Sequence, residues 1–394
     1  MLDEATRLLT PATPDEVLEI LAEAAAAQRR IEVVGGGTKR SVGKVERPEL
    51  TLSLAGLDAV LDYAPEELVL TARPGAKLKD LEKLVASEGQ MLPFEPPRLA
   101  KLLGAKGEPT LGGALAANLS GPRRIRAGAA RDHLLGFAAV SGRAESFKAG
   151  GKVVKNVTGY DLSKLMAGSW GTLAVMTEVT IKVLPKPKTE ASLLLFGLDD
   201  RRATQAMAQA LNAPVEVSGA AHLPPAIAAR APLKAEMAVT ALRLEGFDKS
   251  VAARVETLRE ALKAFGRVER LDAALSRGFW AQVREVEVFQ KDARPLWRVS
   301  TPPASGWRIG EALKGQEGGH EVLYDWAGGL VWAQSDDAQA VRAAARAAGG
   351  HAALWRGEAA LAAFEPLEGA LSALTARVKA AFDPHGILNP GRLG

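Results

Sequence analysis

The sequence predicts an α+β protein built from two domains, and three observations predict it. At 394 residues the chain exceeds what one hydrophobic core ordinarily serves. Helical and strand periodicities alternate over its first part, until the two prolines of Pro185-Lys186-Pro187-Lys188 interrupt any regular element. Beyond that break the order strand–helix–strand occurs twice in succession, the pattern of a small ferredoxin-like sandwich.

Thr13-Pro14-Asp15-Glu16 opens the first helix with a capping threonine, a proline at the first helical position and a glutamate to close the box. Val17, Leu18, Leu21 and the alanines to Ala27 supply its apolar face. A strand at 31–34 runs directly into Gly35-Gly36-Gly37-Thr38-Lys39. A second strand, 68–72, leads through Pro74-Gly75 into a helix with Leu78, Leu81, Leu84 and Val85 on one side. Val175, Thr177, Val179, Ile181 and Val183 alternate with Met176, Glu178, Thr180 and Lys182, which predicts a half-buried strand. Past the prolines, strands are expected at 192–196, 215–218, 237–244 and 268–271, with helices at 201–211 and 249–265. Pro302-Pro303 marks another break, 321–325 and 330–334 read as a hairpin around Gly328-Gly329, and a last helix spans 367–382. The expected divisions are 1–185, 190–365 and a C-terminal segment, 366–394.

Composition narrows the function. Hydrophobic residues at 47% and charged ones at 24% describe a folded globular chain, and a net charge of +4 is no nucleic-acid signature. The chain has no cysteine. That excludes disulfides, a cysteinyl flavin link and an iron–sulfur cluster held by this chain, so a partner must carry any such cluster. Met1-Leu2-Asp3-Glu4 is acidic without an apolar core, and no apolar run approaches the roughly 18 residues that span a bilayer. A cytoplasmic chain is expected, without direct membrane insertion and peripheral to a membrane only through partners.

Three glycine-bearing segments are candidate sites. In Gly35-Gly36-Gly37-Thr38-Lys39, backbone N–H groups, a hydroxyl and a cation come together, which suits a phosphate; a plain turn is the alternative. Arg40 occupies the last position of a G-x-G-x-x-G run, and no Gly-Lys-Ser/Thr P-loop exists, so nicotinamide and ATP sites are not supported. Gly112 and Gly113 fall where a helix begins, and so either offer N–H groups to an anion or allow close packing of helix on sheet. Asn118, Ser120 and Gly121 follow, then Arg123, Arg124, Arg126 and Arg131. The third segment, Lys155-Asn156-Val157-Thr158-Gly159-Tyr160-Asp161 and then Gly168-Ser169-Trp170-Gly171-Thr172-Leu173, feeds the alternating strand. A glycine there lets backbone approach a flat ring; Tyr160 and Trp170 read more readily as core residues.

Together these segments resemble the FAD-binding domain of the vanillyl-alcohol-oxidase and p-cresol-methylhydroxylase (PCMH) superfamily, over residues 1 to about 185. A finer resemblance is to the FAD-binding subunits of bacterial glycolate oxidases. It rests on Met91-Leu92-Pro93-Phe94-Glu95-Pro96-Pro97, Ser120-Gly121-Pro122-Arg123-Arg124, the Lys155–Asp161 stretch and Asp383-Pro384-His385-Gly386-Ile387-Leu388-Asn389-Pro390-Gly391-Arg392. The resemblance implies a two-lobed PCMH-type FAD-binding domain, an α+β cap domain and a C-terminal segment returning to the flavin. It implies that Gly35, Gly36, Gly37, Thr38 and Lys39 surround the diphosphate, and that Gly112, Gly113, Asn118, Ser120 and Gly121 continue the cradle. Arg131 and Asp132 would lie nearby, Gly171, Thr172, Leu173 and Val175 along the flavin, and Pro93 near its ring. Asn389 and Arg392 would return from the C-terminus. Thr38 stands where covalently flavinylated relatives often carry a histidine, so the FAD is expected to be non-covalent.

Oxidation of a 2-hydroxy acid needs a hydride acceptor, a base and cations for the carboxylate. Related D-2-hydroxy-acid dehydrogenases carry a histidine-rich stretch that is absent here. The five histidines, at 133, 222, 320, 351 and 385, are isolated, no metal site is expected, and the catalytic residues stay unknown. His320 is the first to examine. The favoured expectation is a flavoprotein subunit of a glycolate-oxidising complex, with a homologous catalytic flavoprotein and a cysteine-rich iron–sulfur subunit as partners. A self-sufficient FAD-dependent hydroxy-acid or alcohol oxidoreductase, or a flavin-binding assembly subunit, are the alternatives.

Overall fold

The computed structural model describes residues 7–151, 160–231, 233–316, 318–358 and 361–393. The motif beginning at Lys155 therefore lies largely outside the described residues. The first lobe is a three-stranded parallel sheet, with Leu50–Ser53 between Arg7–Leu9 and Ile31–Val34. The Pro14–Ala27 helix covers it through Val17, Leu21 and Ala24. Its start is capped as expected: Thr13 Oγ1 accepts the Glu16 N–H at 3.2 Å. The Glu16 carboxylate reaches back one residue further than a standard box, to the Ala12 N–H at 2.8 Å.

The second lobe is a five-stranded antiparallel sheet in the order Val60–Ala64, Val69–Ala72, Ala174–Lys182, Leu134–Ser141, Ser146–Gly150. Ala174–Lys182 is its central strand, and here the expectation of one solvated face fails. Met176 and Thr180 are buried as Val175 and Val179 are. Met176 belongs to the core shared with the Leu78–Ser87 helix, whereas Val175 joins the core of the first lobe. The two lobes thus sandwich this strand.

All strands from Thr189 to Arg356 form one eight-stranded antiparallel sheet. Half of it is the expected ferredoxin-like unit, ordered Val268–Leu271, Thr189–Phe196, Val239–Gly246, Gly219–Leu223. The predicted strand at 215–218 is replaced by Gly219–Leu223; Val215 and Val217 are buried in the approach to it. The other half repeats the same topology in mirror order: Glu321–Asp325, Leu330–Gln334, Leu296–Ser300, His351–Arg356. The Glu321–Asp325 and Leu330–Gln334 hairpin forms as predicted. The two units meet edge to edge, registered through His222 and Tyr324. Leu193, Leu195, Trp297 and Val299 face the cap's own helices, while Leu194, Leu296, Leu323 and Trp332 face the first domain.

Charge also joins cap to flavin-side domain. Arg243, 1% exposed, forms paired hydrogen bonds to Glu95 at 2.9 and 3.0 Å, and Arg123 does the same to Glu245 at 3.0 and 2.8 Å. Glu95 also accepts the Arg123 N–H at 2.9 Å. Burial alone would push the Glu95 carboxyl up; Arg243 and Arg123 outweigh it and hold it at about 2. Every carboxylate and guanidinium of this four-residue knot is matched, so removing one member strands a buried charge. Arg243→Met is expected to cost about 3–5 kcal/mol, read as a lower midpoint of the first denaturant-unfolding transition. A midpoint unchanged from wild type would show the knot to be dispensable.

Candidate functional site

The Ile31–Val34 strand delivers Gly35, Gly36, Gly37, Thr38 and Lys39 to one wall of a small pocket, opposite Thr110, Gly113, Ala116 and Trp170. Its enclosed space is about 70 Å³, matched to a phosphate group or two rather than to a whole dinucleotide. Only Gly37 of the three needs a left-handed backbone (φ 69°). Gly36 is glycine for room: a methyl group there would overlap the Glu108 carbonyl, and one at Gly107 would overlap the Gly36 carbonyl. Two loops therefore cross at backbone contact. Thr110 opens the second glycine-bearing segment, whereas nothing near Gly107 in the sequence marks it, because its partner lies some seventy residues away in the chain.

The pocket is electrostatically unbalanced. Glu32 accepts from both Arg40 (Nε at 3.0 Å) and Arg392 (Nη2 at 3.1 Å). Arg392 also donates to the Val42 carbonyl at 3.2 Å. One carboxylate therefore faces three cations, and among the described residues the Lys39 ammonium has only Thr38 Oγ1, at 3.0 Å. Water reaches Lys39 through the pocket mouth, but protein surrounds it elsewhere. Burial, with Arg392 adding, lowers its pKa to about 8.

Asn389 staples the pocket's far side. Its Oδ1 accepts the Val33 N–H at 2.8 Å, its Nδ2 donates to the Trp170 carbonyl at 2.7 Å, and its own N–H bonds Ile31 at 2.9 Å. Gly171 (φ 69°) passes directly against that amide. Trp170 lines the pocket and meets Trp355 and Phe364 edge-on, while Tyr160 is 91% exposed and not a core residue.

Other expected positions serve the frame. The Gly112 N–H is spent on the Pro74 carbonyl at 2.8 Å and a methyl there would strike Pro74, so close packing, not anion binding, accounts for it. Thr110 Oγ1 caps the Gly113 N–H at 3.3 Å. Asn118 Oδ1 and Ser120 Oγ accept the Arg131 and Ala130 N–H groups at 3.0 Å each, and Asp132 accepts that of Ala129 at 2.8 Å; together they brace one turn. Thr172 bonds Ser169, and Leu173, Val175 and Pro93 are buried. Gly121 sits at the lobe junction, its carbonyl accepting Trp326 Nε1 at 3.0 Å.

A larger cleft, about 300 Å³, lies between the Leu78–Ser87 and Ala273–Glu285 helices; Glu95, Arg123, Arg243 and Glu245 pair within it, and the buried Glu190, which accepts from Ser276 and whose carboxyl burial pushes up, also lines it. No histidine lines either space. His222 is buried against Thr240 and Asp200, His133 bonds the Ala127 carbonyl, and His320 lies beside neither. Beside Gly121, Asp325 accepts the Trp326 N–H at 2.7 Å. Burial pushes its carboxyl up to about 7; that hydrogen bond, Arg243 and Arg298 oppose the rise and Glu95 adds to it.

The fold aligns with p-cresol methylhydroxylase (TM-score 0.73, 14% identity, 98% of this chain and 88% of that one) and with alkyldihydroxyacetonephosphate synthase (0.69, 16%, 97% and 76%). An FAD binding domain family matches residues 5–150, and the C-terminal domain of FAD linked oxidases matches 365–393. The chain is thus an FAD-dependent oxidoreductase of PCMH-type architecture. More narrowly, "Glycolate oxidase subunit GlcE" of Escherichia coli is 34% identical over 380 residues, 96% of both chains, and the chain belongs to that family. "Glycolate oxidase subunit GlcD" of Bacillus subtilis is 30% identical over 211 residues, 53% of this chain and 43% of that one. Among the described residues no helix is long and apolar enough to cross a membrane.

The pocket fits the anionic end of FAD: glycine-walled, with an ammonium facing it that no protein carboxylate neutralises. Gly36→Ala is expected to unseat the crossed loops, lowering the melting temperature and the flavin retained on purification; a flavin content equal to wild type would contradict the crossing. Asp325 makes a pH prediction. With its folded pKa raised, its contribution to stability is full below about pH 4 and lost as pH rises through about 7. Asp325→Asn is therefore expected to melt progressively higher than wild type between roughly pH 5 and 8; parallel curves would refute the assignment.

Proposed function

We propose that the chain is the FAD-binding subunit of a glycolate-oxidising assembly, converting glycolate to glyoxylate together with its partners. The observation that carries this reading is near end-to-end similarity to a glycolate oxidase subunit, joined to a glycine-walled pocket with an excess of positive charge. On this reading residues of about 1–185 form the flavin-binding unit, 190–365 the cap and 366–394 the returning segment. Lys39, Thr38 and the Gly35–Gly37 backbone take the diphosphate, which neutralises the cation excess. Asn389 and Gly171 position the Trp170 loop, and the remainder of the cofactor lies outside the enclosed space. Non-covalent attachment follows from Thr38 at the loop and from the absence of cysteine.

Bound FAD supplies a two-electron acceptor; this chain's residues bind it, orient it and exclude water around its diphosphate. A cysteine-free chain passes electrons onward through other subunits, and a homologous flavoprotein with a cysteine-rich iron–sulfur protein suits that role. Lys39→Met is expected to weaken FAD binding at least ten-fold, measured by equilibrium titration of flavin fluorescence. Wild-type affinity should decline as pH rises through about 8, and the variant should lose that dependence. In anaerobic titrations with glycolate, the isolated chain's flavin absorbance should persist and bleach once the partner subunits are added. Rapid bleaching of the isolated chain would establish self-sufficient oxidation instead.

A further inference from the structure

A second cationic cluster, away from the glycine pocket, lies where the cap meets the first domain. Arg124, from the short Arg124–Ala127 helix, and Arg298, from the Leu296–Ser300 strand, both lie over the indole of Trp326, with guanidinium carbons 4.4 and 5.1 Å from its centroid. Arg298 also lies over Trp355 at 5.8 Å. Alternation along its strand explains the direction: Trp297 and Val299 face the cap's helices, so Arg298 faces the first domain.

The other junction arginines are spent. Arg123 and Arg243 are matched by Glu95 and Glu245, and Arg126 by Glu216. Arg124 and Arg298 have no side-chain hydrogen bond and no carboxylate within ion-pairing distance among the described residues. Asp325 is the acid that acts on Arg298, but its oxygen is engaged by the Trp326 N–H and it is only partly ionised near neutrality. Burial, with Arg124 adding and Asp325 opposing, lowers the pKa of Arg298 to about 10. Two like charges held together in half-buried positions are costly without a counter-charge. The position is also held under backbone strain: Trp326 and Ala327 are non-glycine residues at φ 53° and 56°.

We propose that Arg124 and Arg298, with Trp326 where the cap meets the first domain, form a site for a small carboxylate, distinct from the flavin's diphosphate pocket. A guanidinium fork matches a carboxylate's two oxygens, and the indole walls of Trp326 and Trp355 suit a flat anion. Because one arginine comes from each domain, an anion here ties cap to flavin domain, and a 2-hydroxy acid presents the required group.

Oxalate, a flat two-carbon dianion that no flavin oxidises as a 2-hydroxy acid, is the probe. Titrated calorimetrically into the flavin-loaded protein, it should bind saturably and raise the melting temperature. Arg298→Met and Arg124→Met should each weaken that binding at least ten-fold. Without oxalate, Arg298→Met should melt no lower than wild type, since it removes an unmatched, half-buried charge; a purely structural cation–π role predicts a lower melting temperature instead. Arg298→Lys keeps the charge but loses the fork, and should bind oxalate more weakly than wild type. Flavin content, recorded on the same samples, separates failure here from failure of the flavin reading. Absence of saturable oxalate binding to wild type, equal binding in both methionine variants, or tighter binding of inorganic phosphate than of oxalate would overturn the proposal.

Discussion

The architecture depends on a pairing between the two ends of the chain. Residues 387–389 run beside the Ile31–Val34 strand, exchanging main-chain hydrogen bonds with Ile31, while the Asn389 amide bonds both Val33 and the Trp170 loop. Three segments from opposite ends and the middle of the sequence are thereby fixed around one small space. Arg392 extends the pairing to Glu32 and to the carbonyl after the glycine loop. The glycine loop itself has little freedom left, since its other side is pressed against residues 107 and 108.

Charge is used in two opposite ways around this frame. Where Glu95, Arg123, Arg243 and Glu245 meet, each buried ion has a partner in good geometry, and the knot fastens one domain to the other. Where Lys39 stands, and where Arg124 and Arg298 stand, half-buried cations have no matching carboxylate among the described residues. Burying a charge is costly, and a protein tolerates it where something else supplies the balance. The contrast separates cement from site more clearly than cavity size does, because the larger cleft has its buried arginine, Arg243, already matched.

Local chemistry made much of this legible in the sequence. A glycine run placed directly after a strand identified the loop that walls the pocket, and Thr13 with Pro14 identified the first helix to the residue. The first ferredoxin-like unit was visible as a repeated order of elements. Long-range contacts were not legible. Thr110 becomes a pocket residue, and Gly107 the support behind the glycine loop, only because the chain crosses itself there, and Gly112 loses its N–H to Pro74, which nothing nearby in sequence announces. Val215 and Val217 look like strand residues, yet the ladder is taken by Gly219–Leu223, a weak strand former recruited by its neighbours. The second ferredoxin-like unit was hidden by Pro302-Pro303, which falls within it, between its first strand and first helix.

The mirror arrangement of the cap has a mechanical consequence. Each half carries full-length ladders of four or more registered pairs, yet across the midline the register narrows to His222 opposite Tyr324. Such a seam resists flexing less than the plates on either side of it. The plate bearing Arg243 is knotted to the first domain by matched ions, whereas the plate bearing Arg298 meets it through Leu296, Leu323, Trp332 and Trp355 and through the Trp326 indole. The two plates are thus fastened to the first domain by different forces, matched ions on one side of the seam and apolar packing on the other.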